Sequence, residues 1–266
     1  MNGQEFPRLV FCVTTGRSGT GLLTRQMSRF QGVYSAHEEE PNFVDVMRCS
    51  QSDPRKAKEF LIESKLPSIK WTKSSLYFDS SHLFCKGFFE PLVDLGLFPD
   101  LIILRRDMRS VAKSLLALGT IPSRSSLGRR YLLQPDDPGV LALGNWEHLS
   151  DYQLCYWYCV ETERRACLYR KKAQDLGSKV VEIEFEALTS GRSERMLERE
   201  LGLVPSPCYR VGKRFFRRSK KVNAKSRHKI QLGDLDFAGQ EAEVNARLIQ
   251  DNCATAVNEL KIGGSI

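Results

Sequence analysis

Residues 8–15 form an apolar run rich in β-branched side chains, with no polar break before Gly16. Such a run predicts a strand buried on both faces, as central strands of parallel sheets are. Helical spacing begins near Thr20. Further strands are predicted at 32–37, 76–84, 101–104 and 179–185, the last with clear alternation. Between them the apolar period lengthens. Ala57, Phe60, Leu61 and Ser64 share one face of a helix over 53–66, with Ser52 or Asp53 as its cap. Val111, Leu115 and Leu118 mark another helix. Ser150 and Gln153 fit a capping box that opens a long helix to about residue 176. A short helix over 192–201 is closed by Gly202 and Pro205, and Val244, Leu248, Cys253 and Val257 pattern a last one over 240–260. Strands alternating with helices predict a three-layer α/β/α architecture with a mainly parallel sheet. No internal repeat appears, so 1–266 reads as one domain. The exception to the pattern is 119–145, where proline and glycine predict a long irregular insertion, a lid or binding loop.

Composition adds chemistry to this frame. Forty Lys plus Arg against 32 Asp plus Glu give a net charge of +8, which favours anionic ligands. Ten of the basic residues fall within 210–229, a stretch with no acidic residue. Aromatic interleaving there is confined to Phe215 and Phe216 and no nucleic-acid module is recognisable, so no specific nucleic-acid partner is expected. Eight cysteines (12, 49, 85, 155, 159, 167, 208 and 253) lie singly, without zinc-site spacing. They predict buried thiols in a reducing compartment. Residues 1–8 are too polar for a signal peptide, and no apolar run approaches the roughly 18 residues of a membrane span. A soluble, cytoplasmic protein is the expectation. Tyr152, Tyr156, Trp157, Tyr158 and Tyr169 are read as core.

Three places carry candidate chemistry. Gly16 to Gly21 follows a buried strand, precedes a helix and has the Gly-x4-Gly spacing of a phosphate-cradling loop. Leu22 and Leu23, however, stand where a nucleoside triphosphatase has Lys and Ser or Thr. The loop suits a phosphate and is poorly equipped for ATP with magnesium. A P-loop kinase for a small molecule or nucleotide, and a non-catalytic nucleotide-binding protein, are two readings of it. Glu38, Glu39 and Glu40 end the strand at 32–37, at the sheet edge where ligands bind. His37 adjoins them. Arg106 and Ser114, eight residues apart, follow the buried strand at 101–104.

Residues 15–23 resemble the 5′-phosphosulfate loop of the sulfotransferases that use 3′-phosphoadenylyl sulfate (PAPS). The resemblance implies a P-loop NTPase-like sulfotransferase fold, with Arg17 on the 5′-phosphate and Ser18, Gly19, Thr20 and Gly21 lining it. Gly21 replaces the second Thr of the commonest version. The Arg106/Ser114 spacing is similar to the family's second signature, which clamps the 3′-phosphate. A guanidinium fork and a hydroxyl donor suit that task. His37 to Phe43 resembles two family patterns for the catalytic base: Glu38 matches the first and Glu40 the second, and His37 is a further candidate. Lys86 loosely matches a lysine facing the sulfonate, or is a surface lysine. Phe185 to Leu188 resembles the family's Tyr-Glu-Asp-Leu segment. Lys221, Asn223 and Lys225 are similar to residues that close over the cofactor, within 210–230. The implied reaction is sulfonate transfer from PAPS, without a metal, to a hydroxyl or amine of a small-molecule or glycan acceptor held near 119–145. Oligomeric state is not implied.

Overall fold

In this computed structural model residues 6–207 and 236–261 are described, with side chains to 251. Lys221, Asn223 and Lys225 lie outside the described residues. Five strands, β1 (Arg8–Val13), β2 (Val33–Ala36), β3 (Leu76–Asp79), β4 (Asp100–Arg105) and β5 (Val180–Glu184), make one sheet in the order β2-β3-β1-β4-β5. Every pairing is parallel. The uninterrupted apolar run lies at the centre, with residues Val10, Phe11, Cys12 and Val13 fully buried.

Period-two alternation sorts the strand residues onto two faces. Leu9, Phe11, Val13, Leu101 and Ile103 pack on one side against α2 (Val44–Ser52), α5 (Phe89–Asp94) and α8 (Asp151–Asp175), through Met47, Phe89 and Tyr169. Val10, Cys12, Ile102, Leu104 and Ile183 face α1 (Thr20–Met27), α9 (Phe185–Ser190) and α10 (Arg192–Leu201) on the other. The result is the expected three layers. Burying one such side chain contributes about 1.5–3 kcal/mol. From β1 the chain crosses to the edge strand β2, returns to β3 beside β1, then passes to β4 and β5 on the other side of β1. That reversal leaves a crevice beside the carboxyl end of β1.

Several elements differ from the sequence expectation. The helix expected at 53–66 is α3 (Pro54–Phe60), a π turn (Leu61–Lys65) and α4 (Leu66–Trp71). Asp53 caps it, accepting from the Arg55 N–H, and Pro67 follows directly on the π turn, in the first turn of α4. β3 stops at Asp79 because its carboxylate accepts from the Ser81 N–H and turns the chain. The 119–145 segment is less irregular than its prolines imply: it contains α7 (Ser126–Tyr131), and Ile121, Leu132, Leu133, Leu141 and Leu143 are buried with α6 (Met108–Ala117) and α8. Trp157 donates to the Leu141 carbonyl at 3.1 Å. Ser150 and Gln153 form the expected capping box, and α11 (Phe237–Lys261) adds Val244 and Leu248 to the same cluster. No helix among the described residues is long and apolar enough to cross a membrane. Cys12, Cys85, Cys155, Cys159 and Cys167 are buried, and burial pushes their thiols up from the usual range.

Candidate functional site

The loop between β1 and α1 passes three times through left-handed backbone, at Gly16 (φ 77°), Arg17 (φ 57°) and Gly19 (φ 95°). Both glycine positions are also sterically closed. A Cβ at Gly16 would lie 3.1 Å from the His82 ring, and one at Gly19 3.0 Å from Phe185 and Leu188. The chain therefore passes close under three side chains before α1 begins, and the first turn of α1 brings donors that have no intrahelical partner. The Ser18 hydroxyl is buried and donates to the Gly16 carbonyl at 2.9 Å, so it braces the loop from inside. Tyr158 ties the loop to α8 by donating to the Thr15 carbonyl at 2.7 Å. Gly19→Ala is expected to destabilise the fold by about 1–3 kcal/mol, the cost of a non-glycine residue held left-handed. Urea denaturation measures it.

Arg17, Arg106 and Ser114 meet at the open side of this loop. Arg106 donates through Nη1 to the Arg17 carbonyl at 2.8 Å, and Arg17 Nε donates to Ser114 Oγ at 3.2 Å across 97 residues of sequence. The Arg106 guanidinium also stacks 4.8 Å over the Phe185 ring. Phe185 thus touches both the loop and the arginine. Sequence reasoning gave it only a place in the fold; its position at the end of β5 was the available signal. Arg105, the residue before Arg106, pairs with Glu163 and Glu182 and locks β4 and β5 to α8. Alternation along β4 sends the two arginines to opposite sides.

The acidic segment lies across the crevice. Glu38 has left-handed backbone (φ 54°), and its Oε1 is 3.5 Å from Nε2 of His82. Glu39 accepts from the Tyr34 hydroxyl at 2.7 Å. Glu40 turns back on its own chain, accepting from the Asn42 N–H at 3.1 Å and from Asn42 Nδ2 at 2.5 Å. His37 Nδ1 lies 2.8 Å from Ser80 Oγ. Of the three candidates, Glu38 is joined to a second titratable group beside the loop. That group, His82, was not singled out in the sequence. Burial, Lys86, His37 and Arg17 together hold its imidazole well below the usual histidine range, so it is neutral near neutrality.

Among solved structures the chain is similar to the sulfotransferase domain from the curacin biosynthetic pathway. Identity is 13%, 77% of each chain is covered and the TM-score is 0.48. No family model and no curated protein matches the chain.

Lys86 is not at the surface. Its side chain is fully buried, with Nζ 2.9 Å from His82 Nδ1 and bonded to the Tyr131 carbonyl. A second buried lysine, Lys65, comes from the π turn, forms an ion pair with Asp79 at 3.0 Å and reaches within 3.5 Å of the Glu39 carbonyl. Its cation lies 5.0 Å from the centre of the Phe43 ring. Behind the glutamates, then, stand two buried lysines. On the loop's inner side Leu23 is fully buried in the core and Leu22 packs against it.

Proposed function

We propose that this chain transfers the sulfonate group of PAPS to a hydroxyl, or with less support an amine, of an acceptor. The observation that carries the reading is the meeting of Arg17, Arg106 and Ser114 around one loop. It gathers two guanidinium groups, a hydroxyl and helix-terminal amides, a donor set for two separate phosphates on one nucleotide. In this reading Arg17 and the loop amides hold the 5′-phosphate, and Arg106 with Ser114 holds the 3′-phosphate, while Phe185 backs the Arg106 fork. A kinase reading loses its lysine and hydroxyl to Leu22 and Leu23, which serve the core instead.

PAPS supplies an activated sulfonate on a good leaving group. The Glu38/His82 pair takes the proton from the acceptor hydroxyl as its oxygen bonds to sulfur and the bond from sulfur to the 5′-phosphate oxygen breaks. Arg17 and the loop amides stabilise the charge that collects on that phosphate. The net positive charge favours an acidic acceptor such as a glycan, and the 119–145 segment, packed beside α8, would wall its site.

Tight, magnesium-independent binding of adenosine 3′,5′-bisphosphate without preference for ATP is the expected titration result; its absence would sink the proposal. Arg106→Ala is expected to weaken that binding about 10- to 100-fold, the equivalent of about 1.5–3 kcal/mol for a charged hydrogen bond. Adenosine 5′-monophosphate serves as the control ligand. If Arg106 holds the 3′-phosphate, its affinity falls far less; if Arg106 only braces the loop, both ligands lose equally.

A further inference from the structure

Lys86 follows His82 by four residues on the turn after β3, and nothing in the reaction above uses it. No carboxylate within ion-pairing distance neutralises it among the described residues; its Nζ instead meets His82 Nδ1 at 2.9 Å, the Tyr131 carbonyl, and the face of the Tyr158 ring at 4.9 Å. An ammonium offers only donors. Facing one, Nδ1 of a neutral imidazole must accept, and the single ring proton then sits on Nε2, towards Glu38 Oε1 at 3.5 Å. An amine, by contrast, carries a lone pair. It can keep one N–H on Tyr131 and accept from Nδ1–H, which leaves Nε2 bare.

Resting on the sulfotransferase reading, we infer that Lys86 is a positioning residue whose ε-amino group decides which nitrogen of His82 carries the proton. With Lys86 charged, Nε2–H braces the Glu38 carboxylate, and the carboxylate receives the acceptor's proton. With Lys86 neutral, bare Nε2 receives the acceptor's proton as Nδ1–H passes its own to the Lys86 amine 2.9 Å away, so the charge comes to rest on Lys86. The site would thus exchange one proton acceptor for another without His82 being left charged.

Both states of Lys86 lie within reach. Burial is the main cause that pushes the amine down to about 7, with Arg165 and Arg48 adding to the shift and Cys85 and Glu38 opposing it. The groups facing the pair come from every neighbouring element: Cys85 on the same turn, His37 and Glu38 after β2, Arg48 on α2, Tyr131 on α7, Tyr158 and Arg165 on α8, and Arg17 on the phosphate loop. His82 stays neutral throughout, because burial and the cationic neighbours suppress the imidazolium. A proton leaving Lys86 therefore appears at His82 as a change of tautomer.

Nitrogen-15 NMR of the full chain, histidine-labelled and without ligand, reads this directly, with His82 assigned from a His82→Asn spectrum. From about pH 6 to 9 the expected record is an Nε2–H ring that converts to Nδ1–H, at the midpoint where the Lys86 ε-carbon titrates. Lys86→Met should abolish the step. An unchanging tautomer in the wild type, a midpoint that differs from that of Lys86, or a step that survives in Lys86→Met would overturn the inference. If Lys86→Met does not fold, the two wild-type midpoints decide alone. Because no nucleotide is present, failure here is distinct from failure of the nucleotide titration. Where sulfonate transfer is measured, Lys86→Met should also remove an inflection near neutrality from the kcat–pH profile, a change that a packing role does not produce.

Discussion

Replacing Glu38 and His82 together, as Glu38→Gln with His82→Asn, is expected to lower kcat about 10²–10⁴-fold, the range of a positioned acid–base group. The two side chains meet at 3.5 Å beside the phosphate loop, so they act as one proton acceptor rather than two. Groups that act as a unit are not additive: each single variant should fall nearly as far as the pair. Affinity for adenosine 3′,5′-bisphosphate should change little, because neither side chain belongs to the two-phosphate donor set. Glu40→Gln provides the contrast. Its carboxylate is engaged with Asn42, where it shapes the approach to α2, so a modest loss of stability is expected with turnover largely kept. Wild-type turnover in the double variant, with loss in Glu40→Gln or His37→Asn, would move the base to one of those residues.

What the sequence disclosed follows from how local each signal is. β1, the loop and α1 are legible because the period changes from continuous to helical across a glycine break, all within twenty residues or so. The Arg17/Ser114 contact spans 97 residues and depends on β4 lying beside β1, a register that no local period encodes. Spacing could present Arg106 and Ser114 as a pair, but only the sheet could bring that pair to the loop. Lys86 is a different failure. Lysine is ordinarily exposed, and that expectation outweighed the apolar run Phe84, Cys85, Phe88 and Phe89 around it, all buried in the structure. His82 was hidden by the same run, although its spacing of four from Lys86 was visible. The 44–52 helix escaped because Arg48, Ser50, Gln51 and Ser52 blur its apolar face. In 119–145 the prolines and glycines masked leucines that pack as core.

Asp79→Ala is expected to destabilise the fold by about 3–5 kcal/mol, because it strands a buried lysine. Lys65 is 1% exposed and Asp79 fully buried, and the carboxylate also takes the Ser81 N–H at 2.9 Å and faces the Tyr77 hydroxyl at 3.3 Å. Lys65→Met combined with Asp79→Asn removes both charges, keeps an acceptor for Ser81 and should recover most of the loss in urea denaturation. Stability is only half of the expectation. Lys65 Nζ lies 3.5 Å from the Glu39 carbonyl, next to the left-handed Glu38, so the ion pair holds the turn that presents the Glu38 carboxylate. The repaired double variant should therefore melt near the wild type and still turn over more slowly, with nucleotide affinity intact. Equal turnover would confine the pair to the core; an Asp79→Ala protein as stable as the wild type would mean that Lys65 finds water or another partner when its carboxylate is gone.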